Sequence, residues 1–94
     1  MANPTITLIE KEEIKNLSFP KEEVLKSDKE IEDREINLKR ALSLGNLEHG
    51  KVKILFSDSE GEKEVHTTVW GLTRNDVILK VSTIIPLNRI IRVS

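Results

Sequence analysis

The fold is decided by residues 50–93, whose sequence is GKVKILFSDSEGEKEVHTTVWGLTRNDVILKVSTIIPLNRIIRV. Apolar side chains occupy every second position of Lys51–Phe56, and a second alternating run covers Glu62–Trp70. A period of two with β-branched and aromatic residues is typical of half-buried strands. Asp58–Gly61 lies between the two runs and has the polar and glycine residues of a turn. We therefore predict a β-hairpin here.

Shorter strands follow the hairpin. Gly71–Asp76 is rich in turn-forming residues, and Val77–Val81 then alternates as a third strand. After Ile84 and Ile85, Pro86 should mark a strand end or an edge because proline cannot donate a hydrogen bond to a sheet. A tight turn then precedes a last apolar strand at the end of the chain, Ile90–Val93. This spacing predicts a small antiparallel barrel, or a strongly bent sheet, of four to five strands.

Two segments of this region, Val77–Lys80 and IPLNRIIRV at Ile85–Val93, carry a resemblance to a known fold. A strand, a proline-containing break, a short turn and a final apolar strand resemble the end of SH3-like small barrels, including the Sm-like and WYL-type versions. The chain also resembles small bacterial proteins with similar TTVW and IPL segments. The first resemblance implies an SH3-like barrel, and the second implies no function.

The N-terminal part is predicted to consist of an arm and a helix that are attached to this β region. We expect residues 1–19 to be an arm that is partly flexible and residues 20–94 to be a single domain, with a helical part over 20–44 and a β part over 50–94. Thr5–Ile9 is short and β-branched. It either pairs with an exposed sheet edge, in its own subunit or in another, or forms a disordered tail.

The helical part has clear start and stop residues. Ser27 and Glu30 match a capping box, and Asp28–Leu44 is rich in good helix formers. Gly45 and Asn46 predict the helix end. A single helix from Pro20 onward competes with this interpretation, but the capping box favours a break near Ser27. The predicted fold is therefore α+β, with an N-terminal helix packed on a small barrel or bent sheet.

This helix has a narrow apolar face and must dock on another surface to be stable. The face comprises Ile31, Leu38 and Leu42. The second face of the predicted sheet is apolar enough to need a cover. It comprises Leu55, Trp70 and Ile78. Either the helix of the same chain or a partner subunit could provide that cover.

Charge and composition restrict the function classes. The 94 residues carry a formal net charge of −1 and include no cysteine, which excludes disulfides and thiolate metal sites. No apolar run approaches the roughly 20 residues that span a bilayer. The N-terminus lacks the pattern of a secretory signal, so we expect a cytoplasmic protein. Residues 65–94 are more basic, with four basic residues against Asp76 alone.

The sequence contains no recognisable catalytic motif, and we predict no enzyme, cofactor or metal site. His49 and His66 are the two histidines, and their spacing matches no metal-binding motif. The carboxylates of the helix pair with basic residues at i,i+4, as in Glu30 with Arg34 and Glu35 with Lys39.

Two functions remain. The first is a non-enzymatic interaction or regulatory module that self-associates or binds a protein partner through Trp70, Leu55 and Ile78. The alternative is a small-barrel RNA- or DNA-binding regulatory protein, because such barrels bind strands through basic and aromatic residues on one face. The basic set for this alternative is Lys51, Lys53, Arg74, Lys80, Arg89 and Arg92. Neither a small-molecule substrate nor a membrane is predicted as a partner.

Overall fold

The computed structural model describes residues 6–79 and 83–94. These residues form one α-helix and seven strands. The elements are β1 (Thr7–Ile9), α1 (Asp28–Glu48), β2 (Val52–Ser57), β3 (Glu62–Thr67), β4 (Val69–Leu72), β5 (Asp76–Leu79), β6 (Thr83–Pro86) and β7 (Ile90–Val93), with 3-10 helices at Lys11–Asn16 and Leu87–Arg89. A four-stranded sheet has the order β1-β3-β2-β7, and a three-stranded sheet has the order β4-β5-β6.

The α+β class is confirmed, but the strands form two sheets rather than one of four to five strands. Within the described residues the strands do not close into a barrel. The predicted hairpin is β2 and β3, which pair antiparallel from Val52 with Thr67 to Ser57 with Glu62. The predicted strand Glu62–Trp70 is divided at Thr68, where the chain passes from the first sheet to the second.

A single hydrophobic core joins both sheets and the helix. Ile54 and Phe56 from β2 and Val77 and Leu79 from β5 belong to one buried cluster. Burial of each such side chain contributes about 1.5–3 kcal/mol. Ile14, in the 3-10 helix Lys11–Asn16, is only 1% exposed and belongs to the same cluster. The segment before residue 20 therefore helps to build the core.

The start of α1 is as predicted and its end is not. The Ser27 side chain accepts a hydrogen bond from the Glu30 N–H, and Glu30 completes the capping box. The helix continues past Gly45 to Glu48, and the left-handed capping residue is His49, with φ of 56°. Gly45 has a packing role instead, because a Cβ at this position would clash with the carbonyl oxygen of Val69.

The helix does not cover the face that the sequence indicated. Leu38 and Ala41 enter the central core, where α1 contacts β4 and β7. The close approach at Gly45 brings α1 onto β4 and so determines this docking site. Residues 21–26 are not helical, which excludes a continuous helix from Pro20.

The N-terminal arm pairs with a sheet edge of its own chain. Strand β1 runs parallel to β3, with Thr7 beside Lys63 and Ile9 beside Val65. The expectation of an entirely antiparallel sheet is therefore wrong at this edge. Thr5 lies outside the described residues. Within residues 6–79 and 83–94, no helix is both long and apolar enough to cross a bilayer.

Candidate functional site

An apolar row crosses the outer face of the three-stranded sheet. Ile78 of β5 pairs with Ile84 of β6. On its other side Ile78 pairs with Gly71 of β4, and the register shift between Val69 and Gly71 places Trp70 at a β-bulge. Trp70 is 38% exposed and Ile84 is 48% exposed. We call Trp70, Ile78 and Ile84 the apolar row.

The inner face of this sheet explains why Ile78 and Ile84 point outward. Val77 and Leu79 flank Ile78 along β5, and Ile85 follows Ile84 along β6. All three are at most 1% exposed and belong to the core. Successive side chains of a strand point to opposite faces, so the residues between the core positions must face outward. The outward positions of Ile78 and Ile84 therefore follow from the burial of their neighbours in the core.

Trp70 is supported from one side by the helix end. The ring centroids of His49 and Trp70 lie 5.3 Å apart, with an angle of 53° between the ring planes. The Thr68 hydroxyl donates a hydrogen bond to the His49 carbonyl oxygen at 3.2 Å. This bond holds the left-handed capping residue close to the bulge that carries Trp70.

A polar depression of about 530 Å³ adjoins the indole. It is lined by Glu10, Lys11, His49, Lys51, His66, Thr67, Thr68 and Trp70. Lys11 is paired with Glu12, whose carboxylate lies 3.2 Å from the ammonium group. Lys51 makes no ion pair within the described part of the chain. The depression thus combines an aromatic wall and two histidines with one unpaired lysine and the acidic Glu10.

Of the predicted partner-binding residues, Trp70 and Ile78 lie in neighbouring strands of the three-stranded sheet, whereas Leu55 lies in the other sheet. Leu55 lies in β2 of the four-stranded sheet, between Glu64 of β3 and Arg92 of β7. It is only 6% exposed, so it is not available to a partner. Ile84 is not among the residues predicted from the sequence. It directly precedes Ile85, and two consecutive residues of a strand face opposite sides, so only one of them can face the core.

The basic residues of the nucleic-acid hypothesis are divided among several places. Lys53 and Arg92 lie on the outer face of the four-stranded sheet, where Lys53 pairs with His66 and Arg92 with Leu55. Arg74 lies in the turn between β4 and β5. Lys80 lies outside the described residues.

Arg89 has a structural role and is 8% exposed. Its Nε donates to the Ser57 carbonyl oxygen at 2.9 Å, and its Nη1 donates to the Glu22 carbonyl oxygen at 2.8 Å. Its Nη2 donates to Ser57 Oγ at 3.2 Å. The guanidinium therefore joins β2 to the segment before α1 and is not available to bind phosphate.

A second buried arginine joins the same segment to the helix. Arg34 Nη1 and Nη2 lie 2.7 and 2.8 Å from the two carboxylate oxygens of Glu23, and Nη1 also donates to the Ile90 carbonyl oxygen at 3.0 Å. The hydrogen bond from Arg34 lowers the pKa of the Glu23 carboxyl below its usual value. The predicted pair of Arg34 with Glu30 is thus replaced by a non-local one, whereas Glu35 and Lys39 pair as predicted at 3.2 Å.

A third ionic contact closes the turn between β2 and β3. Asp58 is buried, and its carboxylate lies 2.7 Å from Lys63 Nζ. It also accepts hydrogen bonds from the N–H groups of Glu60 and Gly61 at 2.8 and 3.0 Å. Burial raises the pKa of the Asp58 carboxyl, but the bonds from Lys63 and the backbone outweigh it, so the pKa lies below its usual value.

Comparison with protein-family models, curated proteins and solved structures gives no match to this chain. Within residues 6–79 and 83–94, no group of three or more His, Asp or Glu side chains is placed to share a metal ion. Trp70 belongs to both the apolar row and the adjoining depression.

Proposed function

We propose that the protein is a non-enzymatic interaction module and that the apolar row is its binding surface. The observation that supports this proposal is that Ile78 pairs with Ile84, and that Trp70 lies in the adjoining strand next to Gly71, with which Ile78 also pairs. Aromatic residues are enriched in protein interfaces, and a buried tryptophan is a frequent source of binding energy there. We therefore expect the exposed apolar side chains of this sheet face to be buried against another protein.

A second copy of this chain is the first candidate for that partner. The end of the row carries charges of both signs, with Asp76 on the same face as Ile78 and Arg74 two residues earlier in the turn. A two-fold dimer brings the same patch of both chains together, so a patch with both charges can complement itself. The two apolar rows would then face each other, as in packed sheets.

Sedimentation velocity over a range of concentrations tests this proposal. We expect the unmodified chain to self-associate and Ile84→Asp to remain monomeric, because the new carboxylate would be buried without a partner. The matched control is Leu47→Asp on α1, where the leucine is 82% exposed. A chain that stays monomeric at all concentrations would contradict self-association.

A nucleic-acid-binding function is the second candidate, and a separate observation favours it. Lys51, His66 and Trp70 line one depression, and Lys53 lies beside His66 on the adjoining sheet. Aromatic side chains stack on bases, and basic side chains neutralise phosphates. The site proposed here keeps Lys51, Lys53 and Arg92. It omits three residues of the predicted set, because Arg89 is buried, Arg74 lies in the turn between β4 and β5, and Lys80 lies outside the described residues.

Binding of a labelled single-stranded oligonucleotide at several salt concentrations tests this second function. Lys53→Glu should weaken binding and reduce its dependence on salt, because fewer counterions would be released. Arg40→Glu, at an exposed position of α1, is the control of equal charge change. Binding that is insensitive to salt would exclude this function.

The β part is also proposed to be related to SH3-like small barrels, of the Sm-like or WYL type. The order β6, a 3-10 turn over Leu87–Arg89 and β7 supports this relation, as does the transfer of the chain between sheets at Thr68. An experimental structure of the chain and its alignment with such barrels would test it. The proposal includes a cytoplasmic location, which fractionation of the native cells would test.

A further inference from the structure

A groove runs between the first half of α1 and the end of the three-stranded sheet. Its volume is about 1060 Å³, at the upper limit of the usual range for small-molecule sites. Apolar side chains come from both of its walls. They are Ile31 and Leu38 of α1, Leu72 of β4 and Leu87 of the 3-10 turn. This groove lies apart from the apolar row and involves none of its residues.

The walls of the groove are held together by hydrogen bonds. The Asn88 side chain donates to the Lys21 carbonyl oxygen, and the Asn88 carbonyl oxygen accepts from the Val24 N–H at 2.9 Å. The Leu87 N–H donates to the Asn75 carbonyl oxygen at 2.9 Å. The segment before α1, the 3-10 turn and the β4–β5 turn are therefore joined, so the groove is formed before any ligand binds.

The charges around the groove are not balanced. Four of its charged side chains neutralise each other in two pairs, Arg34 with Glu23 at 2.7 Å and Lys39 with Glu35 at 3.2 Å. The other two are Lys21 and Arg74, and neither makes an ion pair within residues 6–79 and 83–94. Apolar side chains and two unpaired basic side chains thus line the same groove, which favours an apolar ligand with a negative group.

We propose that this groove binds a small amphipathic carboxylate. The aliphatic part lies along the half-buried side chains of Ile31, Leu72 and Leu87, because Leu38, which also lines the groove, is only 2% exposed. The carboxylate is bound by Arg74, whose guanidinium can form two parallel hydrogen bonds to it. Lys21 adds a second positive charge. This inference shares Arg74 with the proposed dimer contact, but it uses no residue of the apolar row.

The test is a titration of the ¹⁵N-labelled full chain with sodium decanoate, kept below the concentration at which decanoate forms micelles. Amide chemical shifts report where it binds, and calorimetry reports the affinity. We expect saturable binding of one decanoate per chain, with shifts confined to the groove. Arg74→Glu should weaken the affinity by about tenfold or more, the effect of losing one charge-assisted contact.

Two controls separate this site from general attraction of an anion to a protein surface. Lys53→Glu makes the same charge change on the four-stranded sheet and should alter the affinity by less than about twofold. Decanol, which lacks the negative charge, should bind about tenfold more weakly than decanoate. The absence of saturable binding, shifts spread over the whole chain, or equal effects of Arg74→Glu and Lys53→Glu would each overturn the proposal.

Discussion

The imidazole of His49 lies against the indole of Trp70, with 5.3 Å between the ring centroids. This contact joins the end of α1 to the bulge of β4. His49 also adopts the left-handed conformation, with φ of 56°, which is unfavourable for most residues other than glycine. The conformation of the helix end and the environment of the exposed tryptophan are therefore linked.

Substitution of His49 separates these two roles. His49→Gly should be more stable than His49→Ala by about 1 kcal/mol, because glycine adopts the left-handed conformation without a steric cost. Both variants lose the ring contact, so the emission of Trp70, the single tryptophan of the chain, should change equally in both. Urea unfolding measures the first effect and fluorescence the second. Equal stability of the two variants would contradict the assigned left-handed cap.

Gly45 provides a test of the helix packing. In an exposed helix, replacement of glycine by alanine stabilises by about 1 kcal/mol. Gly45→Ala should instead destabilise the protein by about 1–3 kcal/mol, because the added methyl group clashes with the Val69 carbonyl oxygen. Thermal unfolding compares it with Asn46→Ala, an exposed neighbour in the same helix. A stabilised Gly45→Ala variant would contradict the close approach of α1 to the Val69 carbonyl oxygen.

The Arg34–Glu23 pair should matter more than the helical surface pairs. Glu23→Gln leaves the buried guanidinium without its negative partner, and we expect a loss of about 1–3 kcal/mol in the free energy of unfolding. Glu35→Gln is the matched control, since both members of the Glu35–Lys39 pair are exposed and such pairs contribute about 0–1 kcal/mol. Equal losses in the two variants would show that burial does not strengthen the first pair.

Acid should weaken the fold through Asp58 and Glu23. Both carboxyl groups have a pKa below the usual value of about 4 in the folded protein. The stability that they contribute is therefore present above about pH 4 and is lost as the pH falls through the lower, folded-state pKa values. Urea unfolding between pH 7 and pH 2 should show this decline.

Asp58→Asn should reduce the slope of that decline, because an amide does not titrate. The control is Glu60→Gln, which removes an exposed carboxylate from the same turn. It keeps the backbone N–H of residue 60, from which Asp58 accepts a hydrogen bond. If Asp58→Asn and the unmodified chain lost stability equally over this range, Asp58 would not be responsible for the acid effect.

Local features of the fold were predictable because neighbouring residues determine them. The Ser27 capping box and the β2–β3 hairpin each depend on residues within a few positions of one another. The end of α1 was not predictable, because Gly45 is required by a contact with Val69, which lies far along the chain. The Arg34–Glu23 pair was not predictable either, because Glu23 lies before the helix and not at helical spacing from Arg34.

The candidate site was predictable only in part. Alternation in β5 indicated that Ile78 faces away from the core, and this is what the structure shows. Leu55 follows the same rule in β2, but the pattern does not reveal that it lies in another sheet or that it is buried. Trp70 owes its position to a bulge, which an alternating pattern does not show.

The central claim is that a second copy of the chain covers the apolar row. Quenching of Trp70 fluorescence by acrylamide, measured over a range of protein concentrations, tests it most directly because this is the single tryptophan. We predict that quenching decreases as the concentration rises, and that in Ile84→Asp it stays at the level of the dilute protein. Equal quenching of the unmodified chain at every concentration would contradict the claim.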